Sequence, residues 1–163
     1  MQTRQYSFET QRKVGQEGET FLDEWLSPVY KVLDVSEDLK YRHSGIDRVV
    51  TRLDGSVITV EYKFDVAAKR TRNLFFETVS NDKEQIPGWG WSSQADYWIF
   101  LIPKQEIIVF QPAKLRALVW ELQKSLKERM VSNKGYNTIG YPVPLIQARK
   151  VAFHIKTLYL ENL

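Results

Sequence analysis

The sequence predicts a single α/β domain over residues 1–163, a central mixed β-sheet flanked by helices, and three observations carry that expectation. From Phe8 to Leu26, the residues Val14, Phe21, Leu22, Trp25 and Leu26 recur at helical spacing. Two runs rich in Val, Ile and Thr flank Asp54-Gly55, a strong short-range hairpin signal. Trp98 to Ile102 and Glu106 to Phe110 are nearly continuous in apolar residues, as strands buried on both faces are.

A chain of 163 residues with 43% hydrophobic content can bury its own core. The absence of cysteine excludes a disulfide scaffold and a cysteine-based metal site. The first thirty residues are polar and charged, and no apolar run approaches the roughly 20 residues of a membrane span. The expectation is a cytoplasmic protein with no membrane partner. A net charge of +3 and a pI near 9.0 permit a polyanionic partner without demanding one.

Taken in order, the first helix ends at Ser27-Pro28, and Tyr30 to Val35 reads as a strand. A polar connection holding Lys40, Tyr41, Arg42 and His43 then runs into Gly45-Ile46-Asp47. After Lys63 comes a basic linker, Lys69-Arg70-Thr71-Arg72, and then a strand from Asn73 to Val79 with Glu77 on the face of Asn73 and Phe75. Asn81 to Ser93 carries loop signals throughout, with Trp89 and Trp91 between glycines, and Ser92 or Ser93 is placed to cap a short helix through Ala95-Asp96. Pro112 opens a helix with Leu115, Leu118, Val119, Leu122 and Leu126 in one stripe, Lys114, Lys124, Lys127 and Arg129 on its polar face, and Asn133-Lys134-Gly135 as its stop. After Tyr141-Pro142-Val143-Pro144, the tail from Leu145 to Leu158 keeps helical spacing, while alternation at Val151, Phe153 and Ile155 suits a strand.

The chemistry concentrates at Gly45 to Lys63. Side chains alternate in a strand, so Glu61 and Lys63 share one face while Val60, Tyr62 and Phe64 share the other. A two-residue loop at Asp54-Gly55 pairs Arg48 with Glu61 and sends Asp47 to the wrong face. A three-residue loop, Leu53-Asp54-Gly55, pairs Arg52 with Ser56 and brings Asp47 opposite Glu61, about 5 Å away at Cβ. Two carboxylates that close suit one divalent cation, which magnesium typically shares between protein carboxylates, phosphate and water.

Asp47 followed after a hairpin by Glu61-x-Lys63 resembles the PD-(D/E)xK nuclease superfamily, with Ile46 standing where the family name has proline. Gly15-x-x-Gly18-Glu19 ahead of an apolar helical run resembles the first helix of resolvase-like members, and Ala95 to Leu101 resembles the strand after the core hairpin in small phage members. The resemblance covers residues 10 to 120. It implies a restriction-endonuclease-like core of order αβββαβ, with Asp47, Glu61 and Glu19 on a magnesium or manganese ion. It also implies a carbonyl from Tyr62 or Thr59 in the coordination sphere, and Lys63 beside the attacking water. Glu77 is the rival to Glu19 as the additional acid.

The expected activity is therefore metal-dependent hydrolysis of DNA, with a homodimer or higher assembly for double-strand cleavage. Lys40, Arg42, Lys69, Arg70 and Arg72 are the candidate phosphate contacts. Trp89 and Trp91 are placed either to stack on bases or to pin their loop to the body. The alternatives are a catalytically silent DNA-binding or assembly module, and an enzyme acting on RNA or a small phosphorylated substrate.

Overall fold

The structure is a computed structural model and describes residues 8–158. It opens with α1 (Phe8–Leu26), whose Leu22 and Leu26 are buried, followed by β1 (Lys31–Asp34), a short α2 (Leu39–His43) capped by the Asp38 side chain, and the hairpin β2 (Arg48–Thr51) and β3 (Val57–Phe64). Beyond β3 come α3 (Ala68–Thr71), β4 (Asn73–Asn81), β5 (Ile86–Pro87) and α4 (Trp89–Ser92). The central hairpin β6 (Tyr97–Ile102) and β7 (Glu106–Phe110) leads to α5 (Pro112–Leu122), β8 (Arg129–Ser132), β9 (Asn137–Pro144), α6 (Leu145–Lys150) and β10 (His154–Thr157).

Six strands form a mixed sheet in the order β1-β2-β3-β6-β7-β10, in which only β3 and β6 run parallel. The apolar runs of β6 and β7 take its centre, where both faces are covered. One face carries Val50, Val60, Tyr62, Ile99 and Val109 under Leu22 and Leu26 of α1. The other carries Trp98, Phe100, Ile108 and Phe110 under α5, α6 and a second sheet of order β5-β4-β9-β8, which contributes Leu74, Phe76 and Val143. Among the described residues, no helix is long and apolar enough to cross a membrane.

The first four sheet strands follow the expected order, but the crossover from β3 to β6 is not one helix. It holds α3 where a basic linker is expected, β4 where a strand is expected, and then β5 and α4 where the glycines and Pro87 read as loop. Those glycines serve close approach: a Cβ on Gly88 would lie 2.4 Å from the Glu77 carbonyl oxygen, and one on Gly90 would lie 2.4 Å from the Phe76 ring. Ser93 caps no helix at Ala95-Asp96, because its hydroxyl accepts the Trp98 indole N–H at 2.9 Å. The helix opened by Pro112 stops at Leu122, well before Asn133. Its apolar stripe lapses after Leu126, and Met130 and Val131 pair instead with Ile139 and Thr138. The tail satisfies both of its readings in turn, helical to Lys150 and extended from His154.

Arg48 fastens α1 to the sheet. Its side chain is only 2% exposed and donates to Asp23 at 2.8 and 3.0 Å, to Glu19 at 2.8 Å and to Asp34 at 2.9 Å. Burial alone would lower the guanidinium pKa, yet the bonds to Asp23 and Glu19 hold it above its usual value. The Tyr62 hydroxyl adds a 2.8 Å bond to Asp23, and its ring centroid lies 5.0 Å from the Arg48 guanidinium carbon. Removing Asp23 strands a buried cation, so Asp23→Ala should cost about 2–3 kcal/mol by the scale of hydrogen bonds to charged groups. Urea denaturation should show a lower midpoint at constant m-value. An unmoved midpoint would mean that Glu19, Asp34 and water suffice.

Candidate active site

The hairpin turn decides where the carboxylates point. Thr51 pairs with Val57 and Arg48 with Val60, the Arg52 N–H reaches the Ser56 carbonyl at 2.8 Å, and Gly55 takes φ +81°. This is the three-residue loop, with glycine supplying the left-handed turn. The paired register ends at Arg48 and Val60; just beyond it the Asp47 N–H donates to the Val60 carbonyl at 2.9 Å, and the Asp47 carboxyl feels the charges of Lys63 and Glu61.

Asp47, Glu61 and Lys63 therefore share the face that looks toward the second sheet, where Glu61 and Lys63 stand in register with Trp98 and Phe100 of β6. Asp47 Oδ2 accepts the Tyr62 N–H at 2.7 Å. Glu61 is 5% exposed; its Oε1 is ion-paired with Lys63, and its Oε2 is buried with no hydrogen-bond partner among the described residues. Gly45, at φ +66°, is what leaves that oxygen room, since a Cβ there would lie 3.3 Å from it.

The second sheet closes the site from above. Glu77 on β4 accepts the Trp89 N–H at 3.4 Å, and the Lys63 ammonium sits 4.7 Å from the Trp89 ring centroid. Burial raises the Glu77 pKa, opposed by the charge of Lys63 and reinforced by that of Glu61. Burial likewise raises that of Asp47, against the Tyr62 N–H and Lys63, with Glu61 again adding to the rise. Arg116 of α5 completes the ring of charge. It donates to the carbonyls of Gly90 at 2.7 Å and Ser93 at 2.6 Å, lies 5.0 Å from the Trp98 ring centroid, and feels the Glu61 charge.

Three carboxylates against Lys63 and Arg116 leave the site acidic and one buried oxygen unsatisfied. Buried acceptors are ordinarily bonded, so this oxygen is open to a hydrogen-bond donor or a cation. Among the described residues no group of three or more His, Cys, Asp or Glu side chains stands close enough to form a complete ligand set. Two carboxylates are the most that the sheet face itself offers, and a magnesium-type ion held by one or two carboxylates keeps water and phosphate oxygens as its other ligands. Asp47 and Glu61 are the side chains that would hold it.

Other expected site residues lie elsewhere or do other work. Glu19 is bonded to Arg48, on the α1 face of the sheet, because Arg48 and Tyr62 alternate with Asp47 and Glu61. It stands on the far side of the sheet from Asp47 and Glu61, whereas Glu77 feels the charges of both Lys63 and Glu61. Gly18 in the same motif makes room for the Phe64 ring, 2.4 Å from where its Cβ would be. The Tyr62 side chain points to the α1 face, and the Thr59 carbonyl accepts the Asp96 N–H at 3.0 Å. Lys40 and Arg42 are exposed on α2, which runs directly into Ser44 and Gly45. Lys69 and Arg70 are exposed on α3, with Arg72 in a left-handed cap. Trp89 is a packing residue, set against Phe76, Trp98 and Phe100, and Trp91 meets Phe76 edge-on while 40% exposed. Arg116 was not anticipated; its signal was its place between Leu115 and the polar side of an amphipathic helix.

Raised carboxylate pKa values mean that the folded chain binds more protons than the unfolded one, so stability falls as pH rises from the unfolded pKa near 3.8 through the raised one. Asp47→Asn should therefore raise the thermal midpoint of the metal-free protein at pH 7, with the gain vanishing below about pH 4 where Asp47 is protonated in both states. Scanning calorimetry at both pH values checks this, and a variant less stable than the parent at pH 7 would show that the carboxylate is compensated.

Comparison with family models, curated proteins and solved structures finds no match to this chain, so the site stands on its own residues.

Proposed function

We propose that the chain is a magnesium- or manganese-dependent deoxyribonuclease with a restriction-endonuclease-like core, cutting DNA internally. The observation that carries this reading is the unsatisfied buried Oε2 of Glu61, beside Asp47 and Lys63 on one sheet face. The order Asp47, hairpin, Glu61-x-Lys63 adds the resemblance to PD-(D/E)xK nucleases.

Hydrolysis forms a bond from water oxygen to phosphorus, breaks the bond to the leaving deoxyribose oxygen, and returns a proton to that oxygen. Magnesium or manganese, when bound, lowers the pKa of water and withdraws charge from the phosphate. Asp47 and Glu61 would hold that charge at the sheet face, and it would relieve their own repulsion. Lys63 is steadied between Glu61 and the Trp89 ring, where its ammonium can orient the attacking water and offset charge on the phosphate. Glu77, with its raised pKa, is suited to take the proton from that water. Arg116 offers a guanidinium fixed by two carbonyls, a preorganised donor for a phosphate oxygen. One such site cuts one strand, so cleavage of both calls for two copies of the chain.

A second reading, a silent DNA-binding module, is favoured by one observation: Lys63 already neutralises one oxygen of Glu61. Supercoiled plasmid with magnesium or manganese separates the two. The enzyme should nick it, Lys63→Ala should lower the rate about 100-fold or more by the scale of lost electrostatic stabilisation, and Glu77→Gln should lower it while Glu19→Gln leaves it nearly unchanged. Plasmid that is bound and never nicked in either metal would favour the silent module.

A further inference from the structure

We infer that the β8–β9 ribbon is an arm that grips duplex DNA, an inference that takes its substrate from the nuclease reading above. Every residue from Lys127 to Tyr136 is exposed, including Met130 at 62% and Val131 at 48%. A hairpin that buries so little of itself has no core to build, yet this one is firmly made. The Asn133 N–H closes the turn on the Tyr136 carbonyl at 2.8 Å, and Asn133 Nδ2 reaches Thr138 Oγ1 at 2.9 Å. Thr138 donates to the Ser80 carbonyl at 3.0 Å, and Asp82 accepts both the N–H and the side-chain amide of Asn137 at 2.7 and 2.8 Å. The ribbon is thus braced against the β4–β5 hairpin rather than loose.

Charge names the occupant. From Lys124 to Tyr136, four cations (Lys124, Lys127, Arg129 and Lys134) face one carboxylate, Glu128, so this stretch carries +3, as much as the whole chain. None of the four is ion-paired among the described residues. A concentrated, uncompensated positive charge on a rigid exposed ribbon suits a polyanion, and a two-stranded ribbon fits the major groove of B-DNA. Position ties the arm to the site: Glu77 pairs with Gly140 and Gly140 with Arg129, so Arg129 stands in the row of Glu77, two strand spacings or about 10 Å away. A duplex whose backbone lay along that row would meet the arm and the acidic cleft together.

The test uses the full chain, a 30-base-pair duplex and fluorescence anisotropy in calcium over a salt series, with plasmid cleavage in magnesium measured beside it. The variant Lys127→Ala/Arg129→Ala/Lys134→Ala should flatten the slope of log affinity against log salt by about 2–3 units, at roughly 0.9 per phosphate contact, and raise KM with kcat little changed. The charge-keeping variant Lys127→Arg/Arg129→Lys/Lys134→Arg should retain the slope, which removes misfolding as the explanation. A slope unchanged by the alanine variant, no binding by the parent, or tighter binding to poly-glutamate than to the duplex would overturn the arm. A parent that never cuts but loses slope in the alanine variant keeps the arm and removes the nuclease; a parent that cuts with unchanged slope in the variant does the reverse.

Discussion

The three-residue turn at Leu53-Asp54-Gly55 is the constraint on which the rest depends. Side chains alternate along a strand, so the turn that sets Asp47 beside Glu61 also sets Arg48 beside Val60, under α1. A slip of one residue would bury Asp47 against Leu22 and turn Arg48 toward Lys63, leaving each charge beside the wrong neighbours. Gly55 at φ +81° admits the longer turn, and the Asp54 side chain steadies it by accepting the Ser56 N–H at 2.9 Å.

The two faces resolve their charge in opposite ways. Under α1, a single buried guanidinium gathers Glu19, Asp23 and Asp34, each of which keeps a third or more of its side chain in solvent. Asp34 even titrates low: although burial pushes it up, Ser36 and Arg48 outweigh that effect. That face is a clamp, with its ions paired and its remaining carboxylate charge hydrated. On the other face Glu61 is buried and Asp47 and Glu77 are half-buried, Asp47 and Glu77 titrate high, and one oxygen of Glu61 has no partner among the described residues. An acidic cluster partly withdrawn from water and incompletely paired is costly to keep. A cation would offset that cost directly.

The local parts of this arrangement were legible in the chain. α1 runs over the residues its apolar spacing marks, the central strands fall where apolar residues are continuous, and the turn is one of the two alternatives that Asp54-Gly55 allows. What was not legible depends on distant partners. Glu19 borders the buried stripe of α1, but only the position of Arg48 across the sheet decides which charge it meets. Trp89 among glycines suits either stacking on a base or pinning its loop to the body; the close approach of Gly88 and Gly90 to β4 is what makes it the wall beside Lys63. Past Leu126 the polar residues are as compatible with more helix as with β8, and it is pairing with β9 that settles them. Glu77 and Arg116 come to the cleft from a second sheet and a later helix, which no pattern within the Asp47 to Lys63 stretch encodes.

That second sheet gives the site its dielectric character. Phe76 of β4 packs with its ring centroid 5.4 Å from that of Trp89 and 6.2 Å from that of Trp98, and Trp89 lies 5.0 Å from Trp98 and 5.6 Å from Phe100. This aromatic stack walls the cleft on the side of Lys63 and Arg116, each of which lies over one of its tryptophans. Cation–π contact of this kind is worth about 0.5–2 kcal/mol depending on desolvation. Its larger effect is to exclude water where charge must act, since the same pair of charges interacts several times more strongly at low effective dielectric than in solvent. The crossover between β3 and β6 therefore does more than join two parallel strands. By inserting a β-sheet where a single helix would have sufficed, the chain brings a carboxylate and an aromatic wall toward the face that carries Asp47, Glu61 and Lys63.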